Sequence, residues 1–429
     1  MENPIARIGQ TNFRNKHVAF GIKQADRLAH MLLVGKTGTG KSTVLANMMH
    51  SDLQQGAGFA LLDAHGDLAE QVLSLVPEHR IPDVVYINPT KPEFSPAINL
   101  LAGHNSSLAA SQFLSIFHHL WPEFWGPRSE YLLRSALLLL LETFPGAHLG
   151  DVPNVLTDYG FRQTLVSKLP PGNLKQFWER EFEQYSKHFR NEAVAPILNK
   201  IGAVTLNPRL RPVLCQRRND VDVRKLMDTG QILIVNLAKG AVGEDGSALL
   251  GSILLSKLVL AALSRSDVRE EERRFFGIYA DEAHAFITES TVSLFSELRK
   301  FKVGATWATQ YLSSLPENLR DGILGNVGTL LSFGVSGEDA EFLSKEFAPV
   351  FQSDDLVNLP THNFYIKLRI NGATSQPFSA ETLPFNFRAD SKRILTRLRT
   401  FSPRAKAATQ VRTASAIKTQ EKTSPAVLF

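Results

Sequence analysis

Short runs of apolar residues punctuate the chain. Residues 31–34, 59–62, 84–87, 232–235, 275–280, 303–308 and 329–333 are apolar at nearly every position. Such runs are too short for amphipathic helices and lack the alternation of a half-exposed strand. They predict strands buried on both faces. Helical stretches separate several of them, the first from about Lys41 to His50. Strands alternating with helices predict an α/β fold with a doubly wound, mostly parallel sheet. No internal repeat is present.

The interval between Ile87 and Ile232 breaks that rhythm. Phe113, Phe117, Leu120 and Trp121 recur at helical spacing, as do Leu133, Leu137, Leu140, Leu141 and Phe144. Leu174, Phe177, Trp178, Phe182 and Tyr185 form a third stripe. Each stripe marks the apolar face of a helix, and its aromatics are core material. The pattern predicts an all-α domain over residues 106–212, inserted between the two parts of an α/β domain, 1–105 and 213–385. Residues 363–370 read as a late strand, with Asn371-Gly372 as a hairpin turn. Residues 390–401 read as a short basic helix. The tail 386–429 as a whole reads as disordered.

Charge sharpens this division. The chain of 429 residues carries a net charge of +5, yet residues 388–429 hold ten Lys/Arg against two Asp/Glu. The remainder is therefore net −3. Basicity is a property of the tail, which suits nucleic acid, another acidic surface, or simple solvation. A composition of 43% hydrophobic and 21% charged residues excludes a wholly disordered, collagen-like or coiled-coil protein. The single cysteine, Cys215, excludes a disulfide scaffold and a multi-cysteine zinc site, and fits a reducing compartment. No run of about 20 uncharged apolar residues occurs, so no membrane span is expected. The opening MENPIARIGQ lacks the apolar run of a signal peptide. The expected location is cytoplasmic.

The first apolar run ends in Gly35-Lys36-Thr37-Gly38-Thr39-Gly40-Lys41-Ser42, which fits G-x-x-x-x-G-K-[ST], with Thr43 following. Glycines let the backbone approach an anion closely, and successive N–H groups form a nest for the β-phosphate. The next helix aims its positive dipole end at the same point. Lys41 supplies a mobile charge to the β- and γ-phosphates, and the Ser42 hydroxyl ligates Mg²⁺. These residues predict nucleotide binding.

Hydrolysis needs more. The run 275–280 is followed at once by Asp281-Glu282. Asp281 at the strand end is expected to hold Mg²⁺ through water. Glu282 is expected to orient and deprotonate the attacking water. The next strand ends in Thr309-Gln310, where Gln310 can contact the γ-phosphate. The letters Asp281-Glu282-Ala283-His284 also spell a helicase box, but the rest of that pattern is missing. Asp63-x-His65 could start a metallophosphoesterase site, yet the further His, Asn and Asp clusters are absent. Asp67 reads as a helix N-cap.

With these residues in view, the chain resembles the HerA/FtsK superfamily of P-loop motors. More narrowly, it is similar to the ATPases related to conjugative type IV secretion coupling proteins. The resemblance rests on Phe20-Gly21-Ile22 with Asp26-Arg27, the P-loop GKTGTGKST, and DAHGDLA from Asp63. It continues with WGPR from Trp125, the Asp281-Glu282 strand, LRKFKVGATWATQYL from Leu298, and GNVGTLLSFGVSGEDAEFL from Gly325. It implies a RecA-like P-loop NTPase domain that uses ATP and Mg²⁺ and assembles into a homo-hexameric ring. Nucleotide would sit between subunits, DNA would pass through the channel, and the helical insert would lie at one mouth. Relatives usually carry Pro at Ala64, and often Arg at Gly334. If that Arg senses a phosphate across the interface, Arg299, Lys300 or Arg320 must replace it here, with Arg299 ranked first. The membrane anchor common in coupling proteins is not seen. Recruitment to the inner face of the membrane would then depend on a secretion channel, a relaxase or a nuclease as partner.

Four functions stay open at this point. The first is an ATP-driven translocase of single- or double-stranded DNA in conjugative transfer or a related mobile-element system. The others are a HerA-like motor paired with a nuclease in DNA processing or defence, a secretion ATPase acting on protein, and a non-hydrolysing nucleotide switch.

Overall fold

The computed structural model describes residues 4–12, 16–99, 101–102, 106–122, 126–385 and 394–398. Trp125 and most of the basic terminus lie outside these.

The apolar runs do become strands: β3 (Met31–Val34), β4 (Gly58–Asp63), β5 (Val84–Ile87), β6 (Ile232–Asn236), β7 (Phe276–Asp281), β8 (Val303–Thr309) and β9 (Thr329–Ser332). All seven are parallel, in the order β9-β3-β8-β7-β4-β6-β5. The antiparallel strands β10 (Asn363–Lys367), β13 (Phe378–Thr382), β1 (Ile5–Thr11) and β2 (Ala19–Lys23) extend the sheet beyond β9. The chain is thus an α/β protein on one mixed, mostly parallel sheet of 11 strands. Between β10 and β13, β11 (Arg369–Ile370) and β12 (Ala373–Thr374) form a separate hairpin. Its turn residues Asn371 and Gly372 both have positive φ, the primed geometry expected of Asn-Gly.

Strand alternation sorts the core into two layers. Leu32, Val34, Ala60, Leu62, Ile278 and Trp307 face one way. Met31, Leu33, Phe59, Leu61 and Tyr279 face the other. This is the two-residue period of a strand buried on both sides. The second face is covered by the helices Lys41–Gln54 and Asp67–Leu75, whose Val44, Met48, Val72 and Leu73 join its core.

The first face is covered by the helix Glu244–Leu263 and by helices from the interval between β5 and β6. The longest of these are Ser106–Leu120, Pro127–Thr143 and Lys187–Thr205, and no strand occurs there among the described residues. Phe117, Leu133, Leu137, Leu140 and Trp178 are buried as core. This helical segment has no separate core, because its apolar residues are continuous with those of the sheet. The third stripe departs from a single α-helix. It is Asn173–Gln176, a π-turn at Phe177–Glu181, then Phe182–Gln184.

Glu244–Leu263 lies within the one stretch among the described residues that is long and apolar enough to cross a membrane by length and composition. Leu249, Leu250, Ile253, Leu254 and Leu258 are buried within the protein. In the basic terminus, residues 394–398 fall within the short helix read at 390–401 and differ from the disorder read for the tail as a whole. They are helical, Ile394 and Leu398 are buried in the second core layer, and Arg397 pairs with Glu78 at 3.3 Å.

Candidate nucleotide site

The carboxyl ends of parallel strands are where open α/β sheets bind ligands. Here the ends of β3, β8, β7 and β4 lie side by side. Val34 is in register with Thr309, and Asp63 with Asp281.

The loop from Gly35 to Gly40 leaves β3 and enters the helix Lys41–Gln54. It is pinned on both sides. Gly35 N–H donates to the Thr309 carbonyl (3.2 Å) and Lys36 N–H to the Gly334 carbonyl (2.9 Å). His362 N–H donates to the Thr39 carbonyl (2.8 Å), and the Thr39 hydroxyl to the Lys36 carbonyl (2.7 Å). Gly40 has φ 121° and is hemmed in by Phe333, His362 and Thr382, so the N-cap position accepts no side chain. Lys36, Thr37 and Gly38 are exposed at the tip, and Thr43 is half-buried in the first helical turn. The first turn of the helix leaves its N–H groups without intrahelical partners, which makes an anion site.

Lys41 is 6% exposed. Its Nζ donates to the carbonyls of Gly35 (2.5 Å) and Lys36 (3.1 Å). Burial lowers its pKa, while Glu282 and Asp281 oppose that shift. The ammonium thus sits between the loop and the acidic ends of β7. The Ser42 hydroxyl donates to Asp281 Oδ2 at 3.3 Å. Burial, followed by the charges of Asp63 and Glu282, pushes the Asp281 carboxyl up to about 6. A hydroxyl and a carboxylate this close are hard oxygen donors suited to Mg²⁺.

Glu282 follows β7 in the left-handed region, with φ 52°. That conformation is strained for a non-glycine residue and clusters at functional sites. The side chain is buried. Its Oε1 accepts from Gln310 Nε2 at 2.6 Å, while Oε2 has no aligned hydrogen bond. His284 Nδ1 lies 3.3 Å from Oε2.

The structure therefore gathers Lys41, Ser42, Asp281, Glu282 and Gln310 at one point. Arg299 is not brought to it. It is exposed in the turn Arg299–Phe301 before β8. The length of β8 separates it from Thr309, about 20 Å. Lys300 pairs with Glu297 and Arg320 with Asp321, and Arg320 also stacks on Phe342 at 4.1 Å. A Cβ at Gly334 would meet the Leu359 carbonyl oxygen at 3.2 Å.

Two residues carry more than their sequence reading. Asp63, not Asp67, serves the helix after β4. Its carboxylate accepts from the N–H groups of His65 (3.0 Å) and Ala69 (2.8 Å), while Asp67 is the first helical residue behind the N-cap Gly66. Among the described residues no cluster of three or more His, Cys, Asp or Glu could hold a metal ion. His284 was a coincidence of letters in the sequence and touches Glu282 in the fold. Contact across the turn, not spacing, reveals it.

A family model of the central domain of the helicase HerA matches residues 7–258. The chain belongs to the HerA central-domain family. It is a P-loop ATPase of that family. The match ends before β7, so the acidic strand end lies outside the matched residues. No curated protein matches the sequence. Among solved structures, the chain is similar to the bacterial conjugative coupling protein TrwB, with a TM-score of 0.66 and 15% identity over 89% of this chain and 91% of that one. TrwB in complex with ADP and Mg²⁺ gives a TM-score of 0.65 and 16% identity, covering 89% and 92%. VirB4 of Thermoanaerobacter pseudethanolicus gives 0.60 and 14%, covering 90% and 98%. At these identities the likeness establishes a shared fold, the RecA-like P-loop sheet with its helical covering.

Proposed function

We propose that this HerA-family chain is an ATP-driven motor that translocates DNA, working as a hexameric ring of identical subunits. The setting is conjugative transfer or a related mobile-element system. The observation that carries the reading is the grip of Gln310 on Glu282 beside Lys41 and Asp281. A nucleotide switch needs the P-loop, whereas a carboxylate held beside it with one oxygen free suits hydrolysis.

Lys41 and the loop N–H groups bind the phosphates of ATP. Ser42 and Asp281 hold Mg²⁺, which when bound neutralises phosphate charge. Glu282 orients the attacking water and takes its proton at Oε2, because Oε1 is occupied by Gln310. Gln310 keeps Glu282 with one amide hydrogen and contacts a γ-phosphate oxygen with the other, so the end of β8 registers the nucleotide. Arg299, at the opposite end of β8 from the site, acts only on a neighbouring subunit. The domain division proposed is 1–105 with 213–385 as motor, and 106–212 as the helical mouth of the ring. The basic residues after 386 hold the DNA backbone without choosing sequence. The motor works in the cytoplasm, at the inner face of the membrane when partners recruit it.

The test is ATP turnover against DNA concentration at low salt. Turnover that rises with DNA supports the reading. The net charge of −3 outside the tail favours a second one, a secretion ATPase acting on protein. Turnover that ignores DNA and rises with a secretion partner would select it.

A further inference from the structure

His284 has no part in the reaction described above, yet it touches the group that performs it. It belongs to the turn Ala283–Ala285 that follows Glu282. Its Nδ1 lies 3.3 Å from Glu282 Oε2 and 3.2 Å from the Thr309 hydroxyl. The neighbours assign the hydrogen. Thr309 Oγ1 directs its one hydrogen to the Tyr311 carbonyl at 3.1 Å, so toward the ring it accepts. An ionised carboxylate only accepts. Nδ1 therefore carries a hydrogen and faces two acceptors.

Glu282 needs such a restraint. The last torsion of a glutamate is broad, so one hydrogen bond on Oε1 leaves the carboxylate free to pivot. The oxygen that takes a proton from water must be fixed in direction without being saturated by strong donors. Oε2 meets that description, being buried and without an aligned hydrogen bond, with Nδ1 at its side. Thr309 and Gln310 are consecutive residues at the end of β8. Both groups beside the carboxylate thus trace to one strand end: Gln310 bonds Oε1, and His284, in contact with Thr309, stands 3.3 Å from Oε2.

We propose that His284 is a positioning residue that fixes the free carboxylate oxygen of Glu282 and ties it to the end of β8 through Thr309. The proposal rests on Glu282 being the base. His284 neither gains nor loses a proton in the step, and the water proton goes to Glu282 Oε2.

The experiment compares steady-state ATP turnover and binding of a fluorescent ATP analogue for wild type, E282Q, H284L and H284N. Thermal melting of each variant is recorded alongside. The expected result for H284L is a kcat lower by about tenfold to a hundredfold, the scale of a misplaced catalytic group. Its KM and analogue affinity stay within about twofold of wild type, because the P-loop contacts are untouched. H284N places an amide nitrogen near the position of Nδ1 and restores most of kcat. H284L turning over like wild type overturns the proposal. So does H284N as slow as H284L while both melt with wild type. If H284L does not fold, Thr309→Val carries the test. A lower kcat at unchanged KM supports the tie, and an unchanged kcat overturns it. E282Q turning over like wild type instead overturns the reading of Glu282 itself, whatever the His284 variants do.

Discussion

Gln310 Nε2 donates to Glu282 Oε1 across 2.6 Å, joining the ends of two neighbouring parallel strands. The bond does two things. It satisfies one oxygen of a buried carboxylate, and it ties the residue after β7 to the end of β8. Gln310→Ala removes the grip and keeps the P-loop. The expected outcome is a kcat lower by about tenfold or more with ATP affinity nearly unchanged. Stopped-flow nucleotide binding beside steady-state turnover separates the two. Loss of affinity equal to the loss of kcat would place Gln310 in ground-state binding instead.

Asp281 is held against its own charge. Its carboxyl is raised to about 6, chiefly by burial and then by Asp63 and Glu282. A raised acid pKa stabilises the fold fully below the unfolded value near 3.8. That stability is lost as pH rises through the folded value. At neutral pH the charge therefore strains the metal-free protein. Asp281→Asn is expected to stabilise the metal-free protein at pH 7.5 by about 2–3 kcal/mol. The gain shrinks at pH 5, and turnover is abolished. Denaturant midpoints at the two pH values check the sign. A variant less stable than wild type at pH 7.5 would contradict it.

Arg27, Asp52 and Tyr279 make a buried knot. The Arg27 guanidinium donates to both Asp52 oxygens (2.6 and 2.9 Å) and to the Tyr279 hydroxyl (2.5 Å). Tyr279 donates to Asp52 Oδ2 at 2.6 Å. The knot ties the entry to β3, the end of the P-loop helix and the middle of β7. Removing one partner strands a buried charge. Arg27→Ala is expected to lose about 3–5 kcal/mol, and the double change Arg27→Met with Asp52→Leu less than the sum of the single losses. Equilibrium denaturation measures both.

His30 is a buried imidazole with two fixed bonds. Ala305 N–H donates to its Nδ1 (3.1 Å), so Nε2–H donates to the Phe295 carbonyl (2.8 Å). Burial lowers its pKa below 6.5. The unfolded chain therefore binds the proton first, and stability present above pH 6.5 is lost as pH falls below it. The contribution of His30 to stability is expected to fall between pH 7.5 and 5.5, against the opposite trend of Asp281. His30→Gln starts lower and loses less over that interval. Equal slopes would remove His30 from the account.

The central sheet was legible because parallel strands buried on both faces must be apolar throughout. The runs at β3 to β9 have no other use in a packed α/β core. The antiparallel extension was harder to see. In β1 only Ala6, Ile8 and the following Gly9 are buried, and in β2 only Ile22, so neither forms a run. The P-loop was legible because phosphate binding is local, one loop and one helix end. Asp281, Glu282 and Gln310 were readable as polar residues at strand ends. Asp63 and His284 were not, because their roles arise from register and from a turn back across the sheet. Asp26 and Arg27 stood out in the sequence only by resemblance. In the fold, Asp26 accepts from the N–H groups of Asn371 and Gly372, and Arg27 anchors the knot, so both serve structure.

The measurement that bears most directly on the account is ATP turnover of wild type and Glu282→Gln, each with and without DNA, alongside nucleotide binding. The account predicts that both proteins bind ATP with similar affinity. Wild type hydrolyses it faster when DNA is added, and Glu282→Gln falls by about a hundredfold or more under both conditions. Wild-type turnover in Glu282→Gln, or a wild type that binds ATP and does not hydrolyse it with or without DNA, would contradict the account.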